Sequence, residues 1–183
     1  GRSRLKRLCA LVLAAYAGLG IAQPKSDWEI EMERRGWTEG EYKLPAPPKP
    51  DDLVEFYVSP STNFRFYIDR QSLSVGKDGV VRYTLLARSP AGAENVTYEG
   101  IRCAQGSYRV YAYGRPGGAW NERDSDWRPI EPKTTQRWHQ ALWREYFCPH
   151  RVPIFDTAEG LDALRRGGHP DARSLESGPG GRF

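Results

Sequence analysis

Lys77-Asp78-Gly79-Val80-Val81-Arg82-Tyr83-Thr84-Leu85-Leu86-Ala87 is the stretch on which the fold turns. Its Asp-Gly pair suits the positive φ of a tight turn, and Val81, Tyr83, Leu85 and Ala87 then recur at every second position. Period two places successive side chains on opposite sides of an extended backbone, so the apolar row needs a core to face. The turn predicts that this strand pairs antiparallel with what precedes it. Toward the N-terminus, Val54, Phe56 and Val58 alternate in the same way, as do Phe64, Phe66 and Ile68. Toward the C-terminus, Ser89-Pro90-Ala91-Gly92 marks a further turn, after which Val96 to Cys103 and Tyr108 to Tyr113 read as another pair. Val96 and Tyr98 are assigned one face and Ile101 and Cys103 the other, read as a change of phase with a β-bulge at Gly100.

Beyond these strands, Thr134 to Phe147 carries Trp138, Ala141, Leu142 and Tyr146 at helical spacing, and predicts an amphipathic helix. Asp156 to Glu159 opens a short final helix with Leu161 and Leu164, stopped at Gly167 and Gly168. Residues 114–133 are rich in Gly, Pro, Asp, Asn and Arg and read as a long loop interrupted by Trp120 and Trp127. Before the strands, Ser26 to Glu29 fits a helix-capping box leading to a charged helix that ends at Arg35, and Leu44 to Pro50 holds four prolines. Those prolines remove backbone donors and fix φ, so this segment runs extended. The expected fold class is α+β: an antiparallel sheet of about five strands with one packed C-terminal helix, closed by a disulfide. The expected organisation is a signal peptide over residues 1–22, and a charged then Pro-rich lead-in over 23–50. A single domain over 51–166 and a disordered tail over 167–183 follow.

The signal reading rests on Arg2, Arg4, Lys6 and Arg7, on the uncharged apolar run Leu8 to Ala17, and on the small residues of Gly20-Ile21-Ala22. The apolar run is shorter than the roughly 20 residues a spanning helix needs, so no membrane span is expected after cleavage. A retained anchor is the rival reading. The 183-residue chain carries 27 Lys and Arg against 23 Asp and Glu. Without those first four basic residues it holds 23 of each, a net charge of zero, which argues against nucleic acid as a partner. Two cysteines then remain, Cys103 and Cys148, and in an oxidising compartment they are expected to pair. A redox or nucleophilic pair, helped by His150, is the alternative.

No catalytic motif stands out. His139, His150 and His169 show no metal-ligand spacing, no Gly-x-Ser-x-Gly elbow is present, and no cofactor or metal is expected. Glu94 and Glu99 are read as solvated charges on a hairpin rim. The aromatic content is more suggestive. Arg109, Tyr111 and Tyr113 alternate onto one strand face, and with Arg102, Arg115, Trp120 and Trp127 they form the candidate binding surface, suited to an anionic or glycan ligand.

A set of residues also resembles a known family. Leu44-Pro45, Ile68-Asp69, Ser72-Leu73, Asp78 to Thr84, Asn95 to Cys103, Tyr111 to Gly114, Trp120, Trp127 and Tyr146-Phe147-Cys148 together resemble the cryptic neisserial protein family of small bacterial envelope proteins. The likeness covers about residues 37 to 149. It implies a periplasmic or lipoprotein-like placement and no particular activity. Because no cysteine stands at the cleavage point, soluble periplasm is the implied location. Two functions are therefore carried forward: non-enzymatic binding of an envelope component or partner protein, and, as the alternative, a hydrolase or redox enzyme.

Overall fold

Gly79 has φ of 77°, and its amide donates to the Gly76 carbonyl at 3.0 Å while the Gly76 amide donates to Val80 at 2.9 Å. The turn thus closes where the Asp-Gly pair places it, with glycine in the one position that needs a left-handed backbone. The chain is seen here as a computed structural model that describes Asp27, residues 36–132 and residues 137–174. The expected export signal (1–22), the charged helix to Arg35 other than Asp27, the start of the Thr134 helix and residues 175–183 of the tail lie outside the described residues.

The strands are β1 (Leu53–Phe56), β2 (Arg65–Asp69), β3 (Ser74–Val75), β4 (Val80–Arg88), β5 (Glu94–Arg102), β6 (Ser107–Gly114), β7 (Trp120–Glu122) and β8 (Arg128–Pro129). They form one antiparallel sheet in the order β1-β2-β4-β5-β6-β7, with β3 beside β4 and β8 beside β6. The five long strands are those that alternation predicts. The expected count of about five falls short because β3, β7 and β8 are pieces of two or three residues cut from turn-rich sequence, too short to show a period. The bulge expected at Gly100 is absent there. Strands β4 and β5 pair without interruption from Val80↔Arg102 to Arg88↔Glu94. The register slips instead between β5 and β6, where Tyr98 opposes Ala112 and Glu99 opposes Val110, so Tyr111 on β6 is the extra residue.

One face of the sheet carries the main core. Phe56, Phe66, Ile68, Val81, Tyr83, Leu85, Ile101 and Cys103 meet Leu142, Tyr146, Phe147, Ile154, Ala163 and Leu164. Leu142, Tyr146 and Phe147 come from the π-helical turn Leu142–Phe147 that extends α1 (Arg137–Ala141), Ile154 from the loop after it, and Ala163 and Leu164 from α2 (Thr157–Arg166). The single packed helix of the sequence reading is therefore one of several. Asp156 caps α2 by accepting from the Glu159 amide at 2.9 Å, and Gly167 ends it at φ 73°, as the sequence signals indicate. Residues 167–174 depart from the expected disordered tail: His169 is buried and α3 (Pro170–Ser174) follows. The His169 ring, held by Glu159 at 2.6 Å, gives this segment an anchor that its Gly- and Arg-rich composition hides.

Cys103 and Cys148 are joined by a disulfide that ties the end of β5 to the end of the helical turn, across 45 residues. Closing a loop of that length restricts the unfolded chain by about 4 kcal/mol in the chain-entropy account. No helix among the described residues is long and apolar enough to cross a membrane.

The opposite face is covered by residues 36–50. Leu44 and Trp120 pack on Tyr98, Tyr111 and Ala112, and the Tyr42 ring lies 4.2 Å from that of Tyr111. The Trp37 indole donates to the Asp78 carbonyl at 2.8 Å, and the Trp120 indole donates to Pro45 at 2.8 Å. The Pro-rich lead-in is thus a strap on the sheet. Because it is, β4 is buried on both faces, polar Arg82 and Thr84 included, where alternation alone suggests a strand wet on one side.

Candidate functional site

The residues expected to form one binding surface are divided by the bulge. Inserting Tyr111 reverses the facing of everything after it on β6. Tyr113, opposite Thr97, therefore points to the helix side, while Arg109 and Tyr111 point to the strap. The three do not share a face. The Arg102 guanidinium carbon lies over the Trp37 ring at 3.9 Å, and the Trp37 and Trp127 rings meet edge to face at 5.8 Å. Arg115 sits exposed in the turn after β6, donating to Asn121 at 3.1 Å. Arg102, Arg109, Tyr111, Trp120 and Trp127 are brought together, and the chain's own strap lies over them.

On the helix side, a cleft of about 520 Å³ opens beside the core. Phe64, Phe66, Tyr108, Tyr113 and Trp138 are among its walls, and Glu99 and His139 line its base. Glu99 is 1% exposed and His139 3%. The rim of solvated carboxylates expected from the sequence holds for Glu94, paired with Arg88 at 2.8 Å, and fails for Glu99. The physical reason is parity. Glu99 lies in the same row as Thr97, Ile101 and Cys103, which faces the core.

A buried carboxylate is tolerable only when its oxygens are satisfied. Here Thr97 Oγ1 donates to Oε1 at 2.7 Å, Tyr83 Oη donates to Oε2 at 3.1 Å, and His139 Nε2 lies 2.7 Å from Oε2. Burial alone would push the Glu99 carboxyl up. The electrostatic attraction of His139 and the hydrogen bonds from His139, Thr97 and Tyr83 outweigh it, and Glu99 titrates below its ordinary value. Tyr83 is driven well above the ordinary phenol value by burial and by the Glu99 charge, so it remains a donor. The imidazole is held on its other side by Tyr108, whose ring stacks on it at 3.7 Å. The cleft thus offers an oriented histidine, an aromatic wall and little else that is charged and buried. Among the described residues no group of three or more His, Cys, Asp or Glu side chains is placed to hold a metal ion.

On the strap side, Asp78 and Arg82 form a buried pair at 2.6 Å, and the Asp78 carboxylate also accepts from the Gly40 amide at 2.7 Å. Burial pushes Asp78 up, but the hydrogen bonds from Arg82 and Gly40 carry it below its ordinary value. Glu39, from the strap, receives Tyr111 and Arg82 on Oε1 and Arg109 and Trp127 on Oε2. Neither Glu99 nor Glu39 was legible as a site residue. Counting parity back from Ile101 finds the first, and no pattern in the sequence finds the second.

Comparison with known proteins agrees with the residue-level likeness. The CNP1-like family model matches residues 32–165, a span that holds the sheet, the strap, α1 and all but the last residue of α2. Cryptic neisserial protein 1 of Neisseria gonorrhoeae is 31% identical over 177 residues, covering 81% of this chain and 87% of that protein. No solved structure matches the chain. On the extent of the family match and the identity to that relative, this chain belongs to the CNP1-like family.

Proposed function

We propose that this chain is an exported envelope protein that binds a small, ring-bearing envelope component in the helix-side cleft, without chemical turnover. The observation that carries the reading is the cleft itself. Its volume of about 520 Å³ falls within the range of small-molecule sites, and five aromatic side chains, Phe64, Phe66, Tyr108, Tyr113 and Trp138, line it together with polar ones, among them the buried pair Glu99 and His139. Aromatic faces take the apolar face of a sugar or a flat ring, and polar side chains beside them fix its orientation. Export is supported by the signal pattern of residues 1–22, and the Cys103–Cys148 disulfide is compatible with it.

The test is calorimetric titration with soluble cell-wall saccharide fragments, comparing the wild type with Tyr113→Ala. Tyr113 is 44% exposed on the cleft wall, so its removal spares the core. Saturable binding that weakens at least about tenfold in the variant supports the reading. Absence of binding, or equal binding by both proteins, overturns it. An acid–base enzyme is the second reading, favoured by the Glu99–His139 pair. Mass spectrometry of the recovered fragments separates the two, since turnover would change their masses.

A further inference from the structure

Four donors from three places in the fold converge on the Glu39 carboxylate. Tyr111 Oη reaches Oε1 at 2.5 Å and Arg82 Nη2 reaches it at 3.4 Å, while Arg109 Nη1 and Trp127 Nε1 reach Oε2 at 2.5 and 3.3 Å. The donors sit on β4, on β6 and in the loop before β8. The carboxylate comes from a separate segment laid over them. Such an arrangement, with both oxygens engaged by charged and neutral donors, is how proteins hold a bound oxyanion.

Two further observations point past Glu39. The Nε groups of Arg102 and Arg109 are buried without hydrogen-bond partners among the described residues. Buried guanidinium donors are costly to leave unmade, so Arg109 in the cradle, and Arg102 over the Trp37 ring that meets Trp127, hold donor capacity that the Glu39 carboxylate does not use. The charges are also unevenly committed. Asp78 answers Arg82, but the other acid near Arg109, Asp124, is fully exposed at 3.6 Å and counts for little in water.

We propose that Glu39 is the intramolecular occupant of an oxyanion site, and that this face binds a carboxylate- or phosphate-bearing ligand when residues 36–50 lift from the sheet. A tethered occupant competes at an effective concentration in the millimolar range, so the strap sets a threshold below which an external anion does not enter. The site is separate from the cleft, which lies on the other face of the sheet, and stands whatever the cleft binds.

The experiment uses the full chain carrying Glu39→Ala. Its melting temperature is followed against inorganic phosphate and against acetate, each beside sodium chloride at matched ionic strength. The melting temperature of the variant is expected to rise saturably with phosphate or acetate and not with chloride, at an anion affinity about tenfold tighter than that of wild type. Rescue by acetate names a carboxylate ligand, and rescue by phosphate a phosphoryl one. Adding Arg109→Ala to the variant is expected to abolish the effect. Rescue by chloride alone, no rescue, or rescue indifferent to Arg109 overturns the proposal and leaves Glu39 as a structural ion pair. Where Glu39→Ala does not fold, Glu39→Gln gives the same comparison by calorimetric anion titration.

Discussion

Replacing His139 by alanine strips the partner from a carboxylate that is 1% exposed, and the structure fixes both the size of the loss and its dependence on pH. Glu99 loses the imidazole at 2.7 Å and keeps only the hydroxyls of Thr97 and Tyr83. Breaking one side of a buried ion pair costs about 3–5 kcal/mol, and the lost stacking of the ring on Tyr108 adds to it. For a chain of this size that is a fall of roughly 10 °C in Tm. The pH dependence is the sharper test. In the wild type the folded Glu99 titrates below its unfolded value, so it contributes stability that is present above the unfolded pKa and is lost as pH falls through the folded one. In the variant, burial dominates and raises the folded pKa above the unfolded value of about 4.3. The same group then favours folding when protonated, and its contribution is lost as pH rises. The difference in unfolding free energy between the two proteins, from urea titrations followed by tryptophan fluorescence, is therefore expected to widen from about pH 3 to pH 7. A gap below about 1 kcal/mol, or one that stays constant with pH, would refute the claim that His139 is what makes a buried Glu99 tolerable.

Three other outcomes rest on the same geometry. Gly100→Ala places a Cβ 2.7 Å from Tyr111 Oη and 2.9 Å from Val80 Cγ1, and is expected to cost about 1–3 kcal/mol in denaturant unfolding by displacing the Tyr111 ring. Reducing the disulfide, or replacing Cys103 and Cys148 by serine, is expected to cost about 4 kcal/mol, read as a lower urea midpoint. Asp156→Ala removes the cap of α2 at the Glu159 amide and is expected to cost about 1 kcal/mol, with faster hydrogen exchange confined to the first turn of that helix.

The sequence by itself determined the five long strands, the turn at Gly79, the capped helix from Thr157 to Arg166 and the pairing of Cys103 with Cys148. The first three depend on signals a few residues long, alternation, a turn dipeptide and a capping side chain, and the fourth on setting aside Cys9, one of three cysteines, as part of the expected signal. Tertiary structure decided the rest. A bulge is one extra residue in a ladder, and whether Tyr111 or a neighbour supplies it depends on the partner strand, so the facing of Tyr113 was set by β5 and not by β6 alone. Glu99 could carry its charge inward only because His139, 40 residues away, arrives on a helix to meet it. The strap went unread because proline-rich segments carry no period. What docks residues 36–50 is a set of indole and carboxylate contacts to residues far along the chain, Glu39 reaching Trp127 across 88 positions. Local sequence specifies local backbone, whereas burying a charge requires its partner, and the partner is supplied only by the folded chain.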